Sequence, residues 1–400
     1  MASPASTLSF GDVFRMAAFK RLWIAQLVSV FGDFLAIFAV FNIVTFQLHG
    51  TPVQVTMILV AFLTPLAVVS PIAGVFVDKW NVRWTMIGSD LIRGVLVIEL
   101  IFVRDLYAIY GIFFLLATVS AFFIPAQSVA LRSVVPQGGL MAANAMMQQA
   151  VQFSLILAPF VAGAMVEGFG ANLCFIFDIL SFFVSAGLVM TLTIERERPA
   201  APSANSVIDS LVQGLRFILS HGAISFVVIA MACGMFGMRC FGALLSVYVR
   251  DILLMKEKTF GFLNTLIGIG MIGGAYLVRK FASRSTPQHL VIYGVGGMGL
   301  AVFITALFGR FDTAAIGMLG LGFFAAFIFI TAQTLLQKET PPEMLGRVTS
   351  TMMSLLAVAQ VVALVGAGPG AELFGLRNLF FGSAAMLIVI GLIGLWKLKS

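Results

Sequence analysis

Charge is the scarcest property of this chain. Only 10% of its 400 residues are Asp, Glu, Lys or Arg, whereas a water-soluble domain carries about 25%. So little charge cannot clothe a soluble surface. The 3 cysteines, Cys174, Cys233 and Cys240, sit in apolar stretches without metal-ligand spacing. Neither a disulfide nor a metal centre is expected, and the thiols read as small buried hydrophobes. No GxxxxGK[ST] phosphate cradle, H-E-x-x-H or G-x-S-x-G occurs, so the residues offer no nucleotide site, no support for a hydrolytic enzyme and no expected cofactor. No polar segment carries a basic stripe with interleaved aromatics, and nucleic acid is not an expected partner.

What fills the chain instead is apolar. It is 60% hydrophobic, with a mean hydropathy of +1.06. Spans of about 20 residues suffice to cross a bilayer, and twelve are expected: 21–47, 53–77, 84–103, 107–130, 138–166, 171–193, 222–249, 258–279, 288–309, 312–336, 343–370 and 374–396. The first follows Arg15, Lys20 and Arg21, runs too long for a removable leader and lacks a cleavage site, so it is expected to remain as a span.

Basic residues set the orientation. With both termini in the cytoplasm, sixteen of the 24 Lys and Arg fall in cytoplasmic segments and six in outer loops. The remaining two, Arg93 and Arg239, are the intramembrane or boundary cations. This bias predicts cytoplasmic termini and accounts for most of the basic character.

The same landmarks occur twice. AQSVALRSVVP at 126–136 returns as AQTLLQKETPP at 332–342, Met146-Met147 as Met352-Met353, and Asn172-Leu173 as Asn378-Leu379. Two repeat-related six-helix bundles are therefore expected, at 1–194 and 221–400, with a cytoplasmic linker at 195–220. Within that linker Val207, Leu211, Leu215 and Ile218 recur at helical spacing, which predicts an interfacial helix. A second such stretch covers 8–19. Paired bundles of this kind are the layout of secondary transporters, where a midplane site is exposed to either side in turn.

The loop after the second span reads GVFVDKWNVRW. Gly74, Asp78, Lys79 and Arg83 resemble the signature of the major facilitator superfamily, while Asn81 and Trp84 depart from it. FKRLWIAQLVSVFGD, SDLIRG, FFIPAQSVALRSVVP with a later AANAMM, and FDILSFFVSAGL occur in an order similar to the branch holding the enterobactin exporter and macrolide-efflux proteins. The resemblance implies a twelve-helix major facilitator fold in a bacterial inner membrane. It also implies a cytoplasmic gate built from Gly74, Asp78 and Arg83, with Asp90 and Arg93 in the same latch. The plain alternative is a charged loop that obeys the orientation rule, beside a local Asp90–Arg93 pair. The second copy keeps the glycine at Gly273 but carries Val278 where Asp78 falls.

Ionisable groups at bilayer depth cost at least about 2.5 to 3.5 kcal/mol, so each demands a reason. Asp33 lies about 18 Å into the first span, where an acid can trade a proton as access switches. It is a candidate for coupling or substrate binding, or a structural acid satisfied by nearby donors such as Ser29 or Thr45. Arg239 in the seventh span is its candidate companion, or a contact for an anionic headgroup, or a cation that snorkels. Asp178 reads first as a structural tie of the sixth helix, with a coupling or substrate role as the alternative. Asn144, Gln148 and Gln152 recur every four residues, as cavity lining or interhelical glue. The combined expectation is an exporter of amphiphilic, drug-like or siderophore-like molecules, an antiporter driven by the proton gradient and functioning as a monomer. A lysophospholipid carrier, or a receptor or scaffold without transport, are the alternatives.

Overall fold

The computed structural model describes residues 8–77, 79–194, 204–281 and 285–399. Fourteen helices follow one another among them: α1 (Phe10–Arg15), α2 (Ala17–Asn42), α3 (Pro52–Val77), α4 (Val82–Phe102), α5 (Leu106–Val134), α6 (Leu140–Phe169), α7 (Ala171–Met190), α8 (Ala204–Ser220), α9 (Gly222–Asp251), α10 (Glu257–Phe281), α11 (Pro287–Phe308), α12 (Phe311–Glu339), α13 (Pro342–Phe374) and α14 (Leu376–Lys399). A π-helical turn, Ile43–Gln47, prolongs α2, and a 3-10 turn, Gln137–Gly139, precedes α6. No strand occurs among the described residues. Only helices satisfy their own backbone in lipid, so a chain this apolar has no other way to cross.

Eleven of the described helices are long and apolar enough to span a bilayer. The twelfth is α4. Its 21 residues reach about 31 Å at the helical rise, but Arg83, Asp90, Arg93 and Glu99 lower its hydropathy. Asp90 and Arg93 are both buried, so α4 brings charge to its protein neighbours while keeping Leu91, Ile92, Val95 and Ile98 exposed.

Two compact units divide the chain. The first holds the residues up to Gln47 and those from Val60 to the segment after α7. Within it α2 packs on α6 and α7, and α4 on α5 and α7. The approach of α2 to α7 passes through Gly32, where a Cβ would sit 2.5 Å from both Asp178 Oδ1 and Ser181 Oγ. A core of Phe19, Leu22, Val82, Met86, Leu131, Met147 and Val189 closes one end. Against that core lies α1, not a continuous interfacial helix over 8–19. The chain breaks at extended Met16, Val13 is buried, and the Leu8 N–H donates to the Gly138 carbonyl at 3.1 Å.

The second unit holds Leu48–Leu59 and everything from α8 onward. The start of α3 therefore belongs with α9 and α13. Val53 N–H donates to the Glu372 carboxylate at 3.2 Å, Arg250 donates to the Gly50 carbonyl at 2.9 Å, and Gly368 lies against Val53. Helices α10 and α12 meet backbone to backbone, because Gly270 and Gly274 face the Leu319 and Phe323 carbonyls and Gly322 faces that of Ile267. Gly270 and Gly274 thus form a close-packing pair. Gly366 does not. It is exposed with open space around it, and Gly368 makes the close approach in its place.

The linker helix α8 rests on α13. A Cβ at Gly214 would lie 2.6 Å from the Arg347 carbonyl oxygen, Thr351 donates to the Leu211 carbonyl at 3.2 Å, and Arg347 donates to Gln213 Oε1 at 2.5 Å. Ile218 is buried on the packed side, whereas Val212, Leu215 and Leu219 are exposed on the other.

Candidate functional site

Three acids and one arginine gather inside the first unit. Arg93 of α4 reaches Asp33 of α2 at 3.6 Å and forms a short ion pair with Asp90, one turn away on its own helix. The second carboxylate oxygen of Asp90 accepts from Ser185 of α7 at 2.7 Å. One helical turn before Ser185, Ser181 donates to the Asp178 carbonyl at 2.7 Å and lies 3.3 Å from its carboxylate, and this pair faces Gly32 beside Asp33. Carboxylates from α2 and α4 thus converge on a single guanidinium, and the Asp178 carboxylate of α7 lies beside them against Gly32.

Two rings complete its surroundings. Phe123 of α5 and Phe182 of α7 have centroids 4.5 and 4.4 Å from the guanidinium carbon of Arg93. Cation–π attraction of this kind strengthens where water is excluded. Exposure separates the members: the side chains of Asp90 and Arg93 are 0% and 4% exposed, but that of Asp33 is 34% exposed. Asp33 is the most exposed of these three, and Asp90 and Arg93 are buried beside it.

Asp33 meets Arg93, and Arg239 donates its Nε to Gln360 Oε1 of α13 at 2.8 Å, each within its own unit. Asp90 and Arg93 do pair at three-residue spacing, within the buried cluster. Asp178 lies against Gly32 of α2, next in sequence to Asp33. Arg83 donates to the Met190 carbonyl at the end of α7, where Arg21 also donates to the Thr191 carbonyl at 3.3 Å. Cations at a helix C-terminus meet its negative pole. Gly74 is described only as backbone of α3, and Asp78 lies outside the described residues. Asn144, Gln148 and Gln152 are exposed along α6, with Asn144 donating back to the Leu140 carbonyl at 2.8 Å.

Sequence reasoning missed Gly32, Phe123, Phe182, Ser181 and Ser185 as parts of one site, and it missed Gln360. A usable signal was charge balance. Arg93 is the sole basic residue deep within the first six expected spans, which also carry Asp33, Asp90 and Asp178, and buried charges require partners.

Comparison with known proteins agrees with this architecture. Macrolide efflux protein A of Streptococcus pyogenes is 22% identical over 94% of this chain and 94% of its own length. The multidrug efflux pump Tap of Mycolicibacterium fortuitum is 25% identical over 88% of each. The crystal structure of the nucleoside transporter NupG superposes with a TM-score of 0.74 at 14% identity, covering 96% of this chain and 99% of that one, a likeness of fold. The sequence profile of the Major Facilitator Superfamily matches residues 22–364. With its helices, its duplicated halves and this match, the chain belongs to the Major Facilitator Superfamily and is a multi-pass membrane transporter, not an enzyme.

Proposed function

We propose that this transporter is a proton-driven exporter of amphiphilic small molecules in the bacterial cytoplasmic membrane, with both termini inside. The observation that carries the reading is Asp33, a partly exposed acid bonded to a buried Arg93–Asp90 pair. A proton arriving at Asp33 weakens its hold on Arg93, and loss of that proton restores it. The tie between α2 and α4 then depends on protonation, which is what an antiporter needs in order to make conformation follow proton entry. The names of two relatives, a macrolide efflux protein and a multidrug efflux pump, support outward transport of drug-like cargo over a lipid carrier or a receptor.

The test is transport in proteoliposomes with an imposed pH gradient, using a fluorescent amphiphile as cargo. Asp33→Asn is expected to keep expression and cargo binding and to lose the acceleration given by the gradient. Unchanged gradient-driven flux in that variant overturns the coupling role.

A further inference from the structure

The second unit holds a cation that no acid answers. Among its described residues Arg239 is the charged side chain that lies more than two turns from either end of its helix. Its Nε donates to Gln360 Oε1. The Gln360 amide nitrogen is turned back toward the Leu356 carbonyl at 3.4 Å, which presents the oxygen to the arginine. Gln360 orients the guanidinium but brings no negative charge. No ion pair to Arg239 occurs among the described residues. A guanidinium has five N–H donors in a planar fork suited to carboxylate or phosphate, and four remain here.

Space and apolar surface adjoin it. Gly242, one turn further along α9, has nothing within 4 Å of where a Cβ would stand. Phe236, one turn earlier, lines an apolar groove of about 400 Å³ together with Phe374, Leu379, Ser383 and Met386. Phe236 and Gly242 each lie three residues from Arg239, so each is its neighbour on the helix surface, one on either side.

We propose that Arg239 and Gln360 form the headgroup subsite for an amphiphile bearing one carboxylate or phosphate, with its apolar chain in the groove beside Phe236. The proposal rests on the reading of the chain as a carrier of amphiphiles, but not on proton coupling. An anion supplies the charge that Gln360 lacks, whereas an uncharged or cationic head leaves Arg239 uncompensated. The occupant is a small cargo, not a resident diacyl lipid.

Equilibrium dialysis of the full chain in neutral detergent tests this with two probes of equal chain length, dodecanoate and dodecanol. Wild type is expected to prefer dodecanoate by about tenfold or more, the scale of one charge-assisted hydrogen bond. Arg239→Met should remove that preference and leave dodecanol binding unchanged, while Arg239→Lys should retain part of it. Equal affinity for the two probes in wild type overturns the subsite whatever the variants do. So does an undiminished preference in Arg239→Met, or an equal loss of both probes at unchanged melting temperature. Displacement of dodecanoate by an equal concentration of dimyristoyl phosphatidylglycerol assigns the site to a lipid and overturns the cargo. Arg239-dependent binding without pH-driven flux would remove proton coupling alone. Driven flux of an uncharged amphiphile without preference for dodecanoate would remove this subsite alone.

Discussion

Around Arg93 the packing leaves little slack. Gly32 lies where α2 meets Asp178 and Ser181, and a Cβ there would also stand 3.0 Å from the Asp178 Cα. Gly32→Ala must push two helices apart at a polar contact, at a cost of about 1 to 3 kcal/mol. Gly88→Ala has nothing within 4 Å and should be neutral or gain about 0.5 to 1 kcal/mol of helix propensity. Melting temperatures in detergent should therefore move in opposite directions, or fall only for Gly32→Ala. Arg93→Met strands the fully buried Asp90, and removing one member of a buried pair costs about 3 to 5 kcal/mol. Adding Asp90→Asn should recover most of the lost melting temperature. A double variant no more stable than the single one would show that the pair is not the source of the loss. The Asp90–Arg93 contact was legible because a helix brings residues three apart together. The Asp33–Arg93 contact was not, since it depends on how α4 is rotated against α2, and one helix's periodicity does not fix that angle.

At the scale of elements, two short helices lie against the bundles. The Gly214 backbone lets α8 seat on α13, so Gly214→Val should lift α8 from its seat. Faster trypsin cleavage after the exposed Arg216 would report it. Unchanged digestion would show that the Gly214 contact does not hold α8. For α1 the capping box of Ser9 and Asp12 is the handle. Hydrogen bonds from the Ser9 side chain and backbone hold the Asp12 carboxyl below its ordinary value. A lowered carboxylate stabilises the folded form above the ordinary range near about pH 4 and loses that contribution as pH falls through the lowered value. The protection of the Leu8 amide against hydrogen exchange, taken relative to its intrinsic rate at each pH, should thus hold at neutral pH and fall only in acid. Ser9→Ala should weaken the protection already at neutral pH. The helical repeat in 204–220 announced α8, but its two apolar faces were not separable in the sequence. Leu215 shares the helical spacing of Leu211 and Ile218, and only contact with α13 distinguishes the packed side from the exposed one.

For the whole molecule, span positions were legible because hydropathy in a bilayer is a nearly direct readout of helix length. α4 was found in the sequence at 84–103 despite its charges. How the first turns of α3 associate was not legible, because residues 48–59 carry no charge or motif that assigns them to one unit. The excess of Lys and Arg in alternate loops predicts cytoplasmic termini. A carboxy-terminal green fluorescent protein should then fluoresce in cells, and an alkaline phosphatase fused at the same point should be inactive; the reverse pair would invert the topology. The duplication is not chemically even. Asp33, Asp78 and Asp178 correspond to Met238, Val278 and Ala384 in the second copy, and Arg239 has no basic counterpart in the first. Charge of opposite sign has thus been assigned to the two copies of one scaffold. Arg93 gives this asymmetry a working part. Its Nε is buried without a hydrogen-bond partner, and its two aromatic neighbours accept no conventional hydrogen bond. The strong acceptors facing it are therefore the carboxylates of Asp33 and Asp90. On the proposed proton-driven reading, a proton on Asp33 of α2 would leave the guanidinium to Asp90 of α4, which Ser185 joins to α7. One arginine shared by two carboxylates would then let three helices answer a single proton.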